Sequence, residues 1–122
     1  MKYPPIFQVA LADPAVTALL GVSPLRLYLF GLAPARPQRP YCVWQVIRGS
    51  PENYLAGRPD TESYGLQVDV YAATADEARR VGHALEYSVE LDARIAGYNG
   101  ENRDTETGLY RYGFDVDWIV QR

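Results

Sequence analysis

The chain has few of the residue types that build metal centres, redox sites or nucleophilic active sites. It contains one cysteine, Cys42, and one histidine, His83, among 122 residues. A single cysteine excludes an internal disulfide and any cysteine-based metal site within one chain. Cys42 lies in a predicted strand, where a small buried apolar side chain is its expected role. His83 lies in the middle of a predicted helix, with no second ligand or nucleophile at a useful spacing.

The sequence also lacks an excess of positive charge and any long apolar run. Twelve basic and fifteen acidic residues give a net charge of −3 and a pI of about 5.1. A protein that grips the phosphate backbone of DNA needs a cationic face, so this balance argues against such a role. No segment approaches the roughly 18 apolar residues of a membrane span, and residues 1–5 lack the pattern of a signal peptide. We expect a soluble protein that folds in a reducing cytoplasm and does not contact a membrane.

No motif that carries catalysis is present. A glycine-rich phosphate loop, an HExxH helix and a DxDxDG calcium loop are all missing from the sequence. We therefore expect no enzymatic activity, no cofactor and no metal ion.

Hydrophobic periodicity predicts the secondary structure of a single domain over residues 1–122. Apolar residues at helical spacing predict a helix over 6–20, interrupted where Asp13 caps a new segment beginning at Pro14. A capping box at Thr74 predicts a second helix up to about residue 91, with a polar face. That face is expected to carry Arg79, Arg80, Glu86 and Glu90. Strands are predicted over 25–30, 41–48, 64–72, 93–98 and 109–120, with a proline-rich connector over 31–40 and exposed loops over 49–63 and 99–107. This order indicates an α+β fold: a mostly antiparallel or mixed sheet of about four to five strands, with two main helices packed on one face.

Three aspartates lie on the polar faces of two predicted strands. Asp69 belongs to the strand over 64–72, and Asp115 and Asp117 belong to the strand over 109–120. If these strands are neighbours, the three carboxylates share one face of the sheet. A solvated face is the favoured interpretation. Acid–base or metal chemistry, or an acidic wall along a channel for DNA, are the alternatives.

Five short segments give the chain a likeness to a known family. They occur in order over nearly the whole chain: Arg26-Leu27-Tyr28; Pro40-Tyr41; Gln67-Val68-Asp69-Val70-Tyr71-Ala72; Thr74 followed by Glu77-Ala78; and Asp104 to Arg111 before the last strand. Together they resemble the tail-completion or tail-terminator proteins of long-tailed bacteriophages and related prophages.

The resemblance implies a structural role in a virion. Proteins of this family form a ring, typically of six subunits, at the head-proximal end of the tail tube. The ring stops tube polymerisation and offers the surface to which the head attaches. The implied partners are further copies of the chain, the major tail tube protein and a head-closure or connector protein. DNA would pass through the lumen without specific binding, and no cofactor is implied.

Within such a ring, two groups of residues are candidates for function. Asp69, Asp115 or Asp117 would face the lumen, where like charge prevents adhesion of the DNA backbone. Contacts with a neighbouring subunit or the tube would come from two further places. One is the exposed 49–63 loop, with Tyr54, Leu55 and Arg58, and the other is the second helix, with Arg79 and Arg80.

Three alternatives stay open at this level. A head-closure or neck adaptor protein belongs to the same particle. A ligand- or peptide-binding module would use the tyrosine-rich sheet face as a pocket. A minor hydrolase or nuclease would use the aspartates with a divalent metal.

Overall fold

Three helices and five strands make up the structure, a computed structural model that describes residues 3–51, 57, 58 and 60–121. The helices are α1 (Ile6–Leu11), α2 (Pro14–Leu20) and α3 (Ala75–Val89). The strands are β1 (Leu27–Leu29), β2 (Tyr41–Pro51), β3 (Thr61–Ala72), β4 (Arg94–Arg103) and β5 (Tyr110–Gln121). The predicted α+β class is confirmed.

The five strands form one mixed sheet in the order β1-β2-β3-β5-β4. β1 pairs with β2 in parallel, and the other three pairings are antiparallel. Parallel neighbours need a connection long enough to return the chain to the starting end. The proline-rich connector between Phe30 and Pro40 supplies it. The side chain of Arg26 links the end of this connector to α2, donating from Nε to the Pro40 carbonyl at 2.8 Å and from Nη2 to the Leu19 carbonyl at 3.0 Å.

Two helices begin at the capping residues that the sequence predicts. The Asp13 carboxylate accepts a hydrogen bond from the Ala15 amide at 2.9 Å, and Pro14 follows at the first helical position. The Thr74 hydroxyl accepts from the Glu77 amide at 3.1 Å at the start of α3. Each cap satisfies a backbone donor that the first turn leaves unpaired.

The core lies between the helices and one face of the sheet. Alternate residues of β3 and β5 point into it, and α3 covers them with one apolar side. The fully buried members include Leu66, Val68, Val70, Phe114, Val116, Val81 and Leu85. The opposite face is called the open face here, and in the described part of the chain no helix packs on it. It carries the intervening residues of the same strands, among them Asp69 and Asp117.

Several predicted boundaries are wrong: β1 is shorter than the predicted strand over 25–30, whereas β2, β3 and β4 are longer than predicted. Residues 49–51 and 61–63 are not loop, because Gly49 pairs with Tyr64 and Pro51 with Glu62 in a continued β2–β3 ladder. β4 likewise runs on to Arg103, past two register shifts, instead of ending at residue 98. In both places a strand neighbour supplies backbone hydrogen bonds to segments whose own side chains favour turns.

Candidate assembly surfaces

The three predicted aspartates do lie on one face of the sheet. β3 and β5 are neighbours, and their register sets Gln67 opposite Asp115, Gly65 opposite Asp117, and Asp69 opposite Gly113. The condition on which the sequence interpretation depended is therefore met. Their surroundings differ from the expectation of a free acidic wall.

Two of the aspartates belong to a polar cluster at the centre of the open face. The carboxylate of Asp69 pairs with the guanidinium of Arg111 at 2.7 Å, and Arg111 Nε donates to the same oxygen at 2.9 Å. Arg111 also donates to the side-chain oxygen of Asn99. The Asn99 amide in turn donates to Asp115 at 2.8 Å. The cluster is largely shielded from water, with Asp69 only 12% exposed at its side chain.

The third aspartate, Asp117, is shared by two arginines. Arg94 of β4 lies 2.5 Å from one carboxylate oxygen, and Arg48 of β2 contacts the other. The open face thus sets three arginines against three aspartates, which makes it charge-balanced rather than acidic.

Two glycines allow this network to lie flat against the sheet. A Cβ on Gly65 would stand 2.6 Å from the guanidinium carbon of Arg48, which crosses β3 to reach Asp117. A Cβ on Gly113 would collide with the side chain of Asn99. Sequence reasoning missed both positions. A glycine inside a strand is the signal that could have found them, because it often marks a close approach by another group.

Aromatic side chains continue the open face toward β1. The rings of Tyr41 and Tyr71 stack with centroids 5.2 Å apart, and Tyr28 lies 6.5 Å from Tyr41. Burial, with Asp104 as a further cause, raises the pKa of the Tyr41 hydroxyl. These rings pack against each other in a row, which accounts for three of the ten tyrosines without a ligand.

One residue predicted for the polar face of α3 is buried instead. The Glu86 carboxylate accepts a hydrogen bond at 2.8 Å from the hydroxyl of Tyr112, which is buried on β5. Burial raises the pKa of Glu86, against a smaller opposing effect of that hydrogen bond. The approach is close because Gly82, one turn earlier, has no side chain: a Cβ there would collide with the Tyr112 ring. The prediction was wrong because helical periodicity alone does not show that a sheet tyrosine offers a donor at this position.

The remaining candidate contact residues are exposed where the structure describes them. Arg79 makes a two-pronged ion pair with Glu101 of β4, at 2.6 and 2.9 Å. Arg80 pairs with Asp76 one turn away at 2.7 Å. Arg58 is exposed. Tyr54 and Leu55 lie outside the described residues.

The two residues with reactive side chains have structural surroundings. Cys42 is fully buried, and burial raises the pKa of its thiol, which leaves little thiolate to react. His83 is exposed and meets the Tyr112 ring edge-on, with centroids 5.7 Å apart. Within the described residues, no group of three or more His, Cys, Asp or Glu side chains could hold a metal ion.

Comparison with known proteins identifies the family. The chain matches the family Tail completion protein gp17 over residues 4–121. It belongs to that family. The resemblance drawn from the short sequence segments is confirmed, and the protein is a structural component of the tail of a phage-type virion.

A solved structure shares the fold of this tail-completion protein. A chain from the virion of a native gene transfer agent particle superposes with a TM-score of 0.68. The match covers 96% of this chain and 92% of the other at 14% sequence identity. No curated protein sequence matches the chain. Among the described helices, none has the length and apolar character to cross a membrane.

Proposed function

We propose that this tail-completion protein forms a ring, of six subunits, at the head-proximal end of the tail tube. There it ends tube polymerisation and provides the surface for head attachment. The family match over residues 4–121 is the observation that carries the proposal. The partners of the ring are the major tail tube protein on one side and a head-closure or connector protein on the other.

The open face supports a position along the DNA path. Every arginine that the structure describes on this face, namely Arg48, Arg94 and Arg111, contacts a carboxylate. Phosphate contacts come mainly from arginines and lysines that are free to bind them, so a face whose cations are neutralised holds DNA weakly. We place Asp69, Asp115 and Asp117 at the lumen, where they keep these arginines from the passing backbone.

The remaining candidate contact residues supply the protein contacts in this proposal. The 49–63 region with Tyr54, Leu55 and Arg58, and the exposed side of α3 with Arg79 and Arg80, are assigned to the tail tube or to a neighbouring subunit. Both arginines of α3 are more than half exposed even within their ion pairs. An exposed ion pair contributes little to the stability of the fold. These guanidinium groups can therefore leave their present pairs and bind a partner with little loss of stability.

The ring and its capping activity are tested with purified tail tubes. Light scattering and negative-stain micrographs follow the chain alone and after addition to tubes formed from the major tail protein. We expect rings at one end of each tube and no further growth when tube subunits are added. Continued growth past bound protein would contradict a terminator role. Binding only to head connectors would instead favour a neck adaptor.

The lumen position is tested by uncovering the arginines. Asp117→Asn removes the charge that neutralises Arg48 and Arg94 while preserving the shape of the side chain. We expect assembled rings of this variant to retain duplex DNA, with a strong decrease in retention as salt rises. Asp76→Asn is the matched control, because it makes the same charge change at an exposed ion pair of α3. Equal retention by the two variants would show that the open face does not line the DNA path.

A further inference from the structure

Charge is unevenly distributed along the chain. Residues 14–51 contain four arginines and no acidic residue, whereas residues 73–109 contain eight acidic and four basic residues. The first segment includes β1 and β2 at one edge of the sheet. The second includes α3, which packs over β3 and β5, and continues into β4. The chain therefore has a basic segment over 14–51 and an acidic segment over 73–109.

The basic segment carries a surface that we call patch A, formed by Phe30, Leu32, Arg36 and Arg39. Phe30 and Leu32 follow β1 directly and are 59% and 69% exposed. Arg36 and Arg39 lie in the connector, and in the part of the chain described neither has an ion-pair partner. Phe30 also borders a groove of about 710 Å³ between α1 and β2 with largely apolar walls.

The acidic segment carries a counterpart, patch B, formed by Tyr87, Glu90, Leu91 and Asp92. These residues end α3 and lead into β4. Tyr87 and Leu91 are 80% and 84% exposed, the two highest values among the exposed large hydrophobic side chains that the structure describes. Glu90 and Asp92 are also exposed, and neither has an ion-pair partner among the described residues.

Each patch thus combines two protruding apolar side chains with two unpaired charges of one sign, and the signs are opposite. A contact between two different patches of the same chain is head-to-tail, and repeated head-to-tail contacts close into a ring when the rotation allows. Opposite potentials favour this pairing and disfavour A against A or B against B. We propose that patch A of one copy binds patch B of the next, which makes these the subunit interface of the ring. The inference rests on the proposed ring and specifies which surfaces meet.

A charge-exchange experiment tests the interface. One variant carries Arg36→Glu with Arg39→Glu, and the other carries Glu90→Lys with Asp92→Lys. All four side chains are exposed and lie outside the core, so circular dichroism should report a native fold for both variants. Self-association of the wild-type chain and of each variant is measured by sedimentation and light scattering, alone and on tail tubes, at low and high salt.

We expect each variant alone to associate at least about tenfold more weakly than the wild type, because like charges then meet at every interface. An equimolar mixture of the two variants should recover rings, because every A–B contact between unlike copies again joins opposite charges. The first variant mixed with wild-type chain is the matched control. There only the wild-type chains should form rings and the variant should stay outside them, since its reversed patch A meets an acidic patch B on every copy.

The possible failures are distinct. If both variants form rings or cap tubes as well as the wild type, or if their mixture recovers nothing, the proposed interface is wrong while the ring stands. If the wild-type chain forms no ring under any condition, with or without tubes, the proposed function is wrong and the interface with it.

Discussion

The contact between Gly82 of α3 and the ring of Tyr112 makes a sharp test of how the helix is seated on the sheet. In Gly82→Ala the new methyl group would overlap Cδ1 and Cε1 of that ring, so the helix or the tyrosine must move. Overpacking a core contact costs about 1–3 kcal/mol. Moving the ring also strains the hydrogen bond from the Tyr112 hydroxyl to the buried Glu86 carboxylate. Leaving such a group unpaired costs about 1–3 kcal/mol more.

The opposing effect is the helix propensity of alanine, which exceeds that of glycine by about 1 kcal/mol. We therefore expect a net loss of about 1–5 kcal/mol in the free energy of unfolding. For a domain of this size, each kcal/mol lowers the melting temperature by about 3–5 °C. Urea unfolding followed by circular dichroism measures the loss directly.

Two further variants separate steric overlap from general effects of the substitution. Gly97→Ala on β4 is the control, because a Cβ there has no neighbour within 4 Å, and its effect should stay within about 1 kcal/mol. In a chain that already carries Tyr112→Ala, Gly82→Ala should be neutral or stabilising, since only its propensity gain remains. A Gly82→Ala variant as stable as the wild type would refute the packing described here.

Three other predictions follow from the buried and part-buried polar groups. Arg111→Leu leaves the shielded Asp69 carboxylate without its cation, so the free energy of unfolding measured in urea should fall by about 2–4 kcal/mol. Arg80→Leu, at an exposed ion pair, should lower it by less than about 1 kcal/mol. Equal losses would contradict the difference in burial between the two pairs. Because burial raises the pKa of Glu86 above its ordinary 4.5, the folded state holds this proton more tightly. Stability should then fall as pH rises from about 4.5 to the raised pKa. Glu86→Gln should flatten that part of a pH series of melting temperatures, and an unchanged profile would count against the assignment. Burial also raises the pKa of the Cys42 thiol, so a thiol reagent at pH 8 should label it slowly in the native protein and rapidly in denaturant. Fast labelling of the native protein would show that the thiol is accessible.

Local features were readable from the sequence because they depend on neighbours along the chain. The alternation of apolar residues fixed which side of β3 and β5 enters the core. Asp13 and Thr74 marked helix starts because a cap acts on amides two or three residues away. The ordered segments from Arg26 to Arg111 were enough to indicate a tail-completion protein.

The tertiary structure alone decided which distant residues meet. Asp117 pairs with Arg48 and Arg94, 69 and 23 positions away, only because β3 lies between β2 and β5 and β4 takes the outer edge. The strand alternation showed three aspartates on polar faces, but the strand order supplied the arginines that neutralise them. The same order sets β1 and β4 at opposite edges of the sheet. Hydrophobic periodicity and helix caps depend on residues that are close along the chain, whereas strand order follows from the packing of the whole chain. The sequence could therefore show which residues share a face of a strand, and only the fold could show which distant residues they contact.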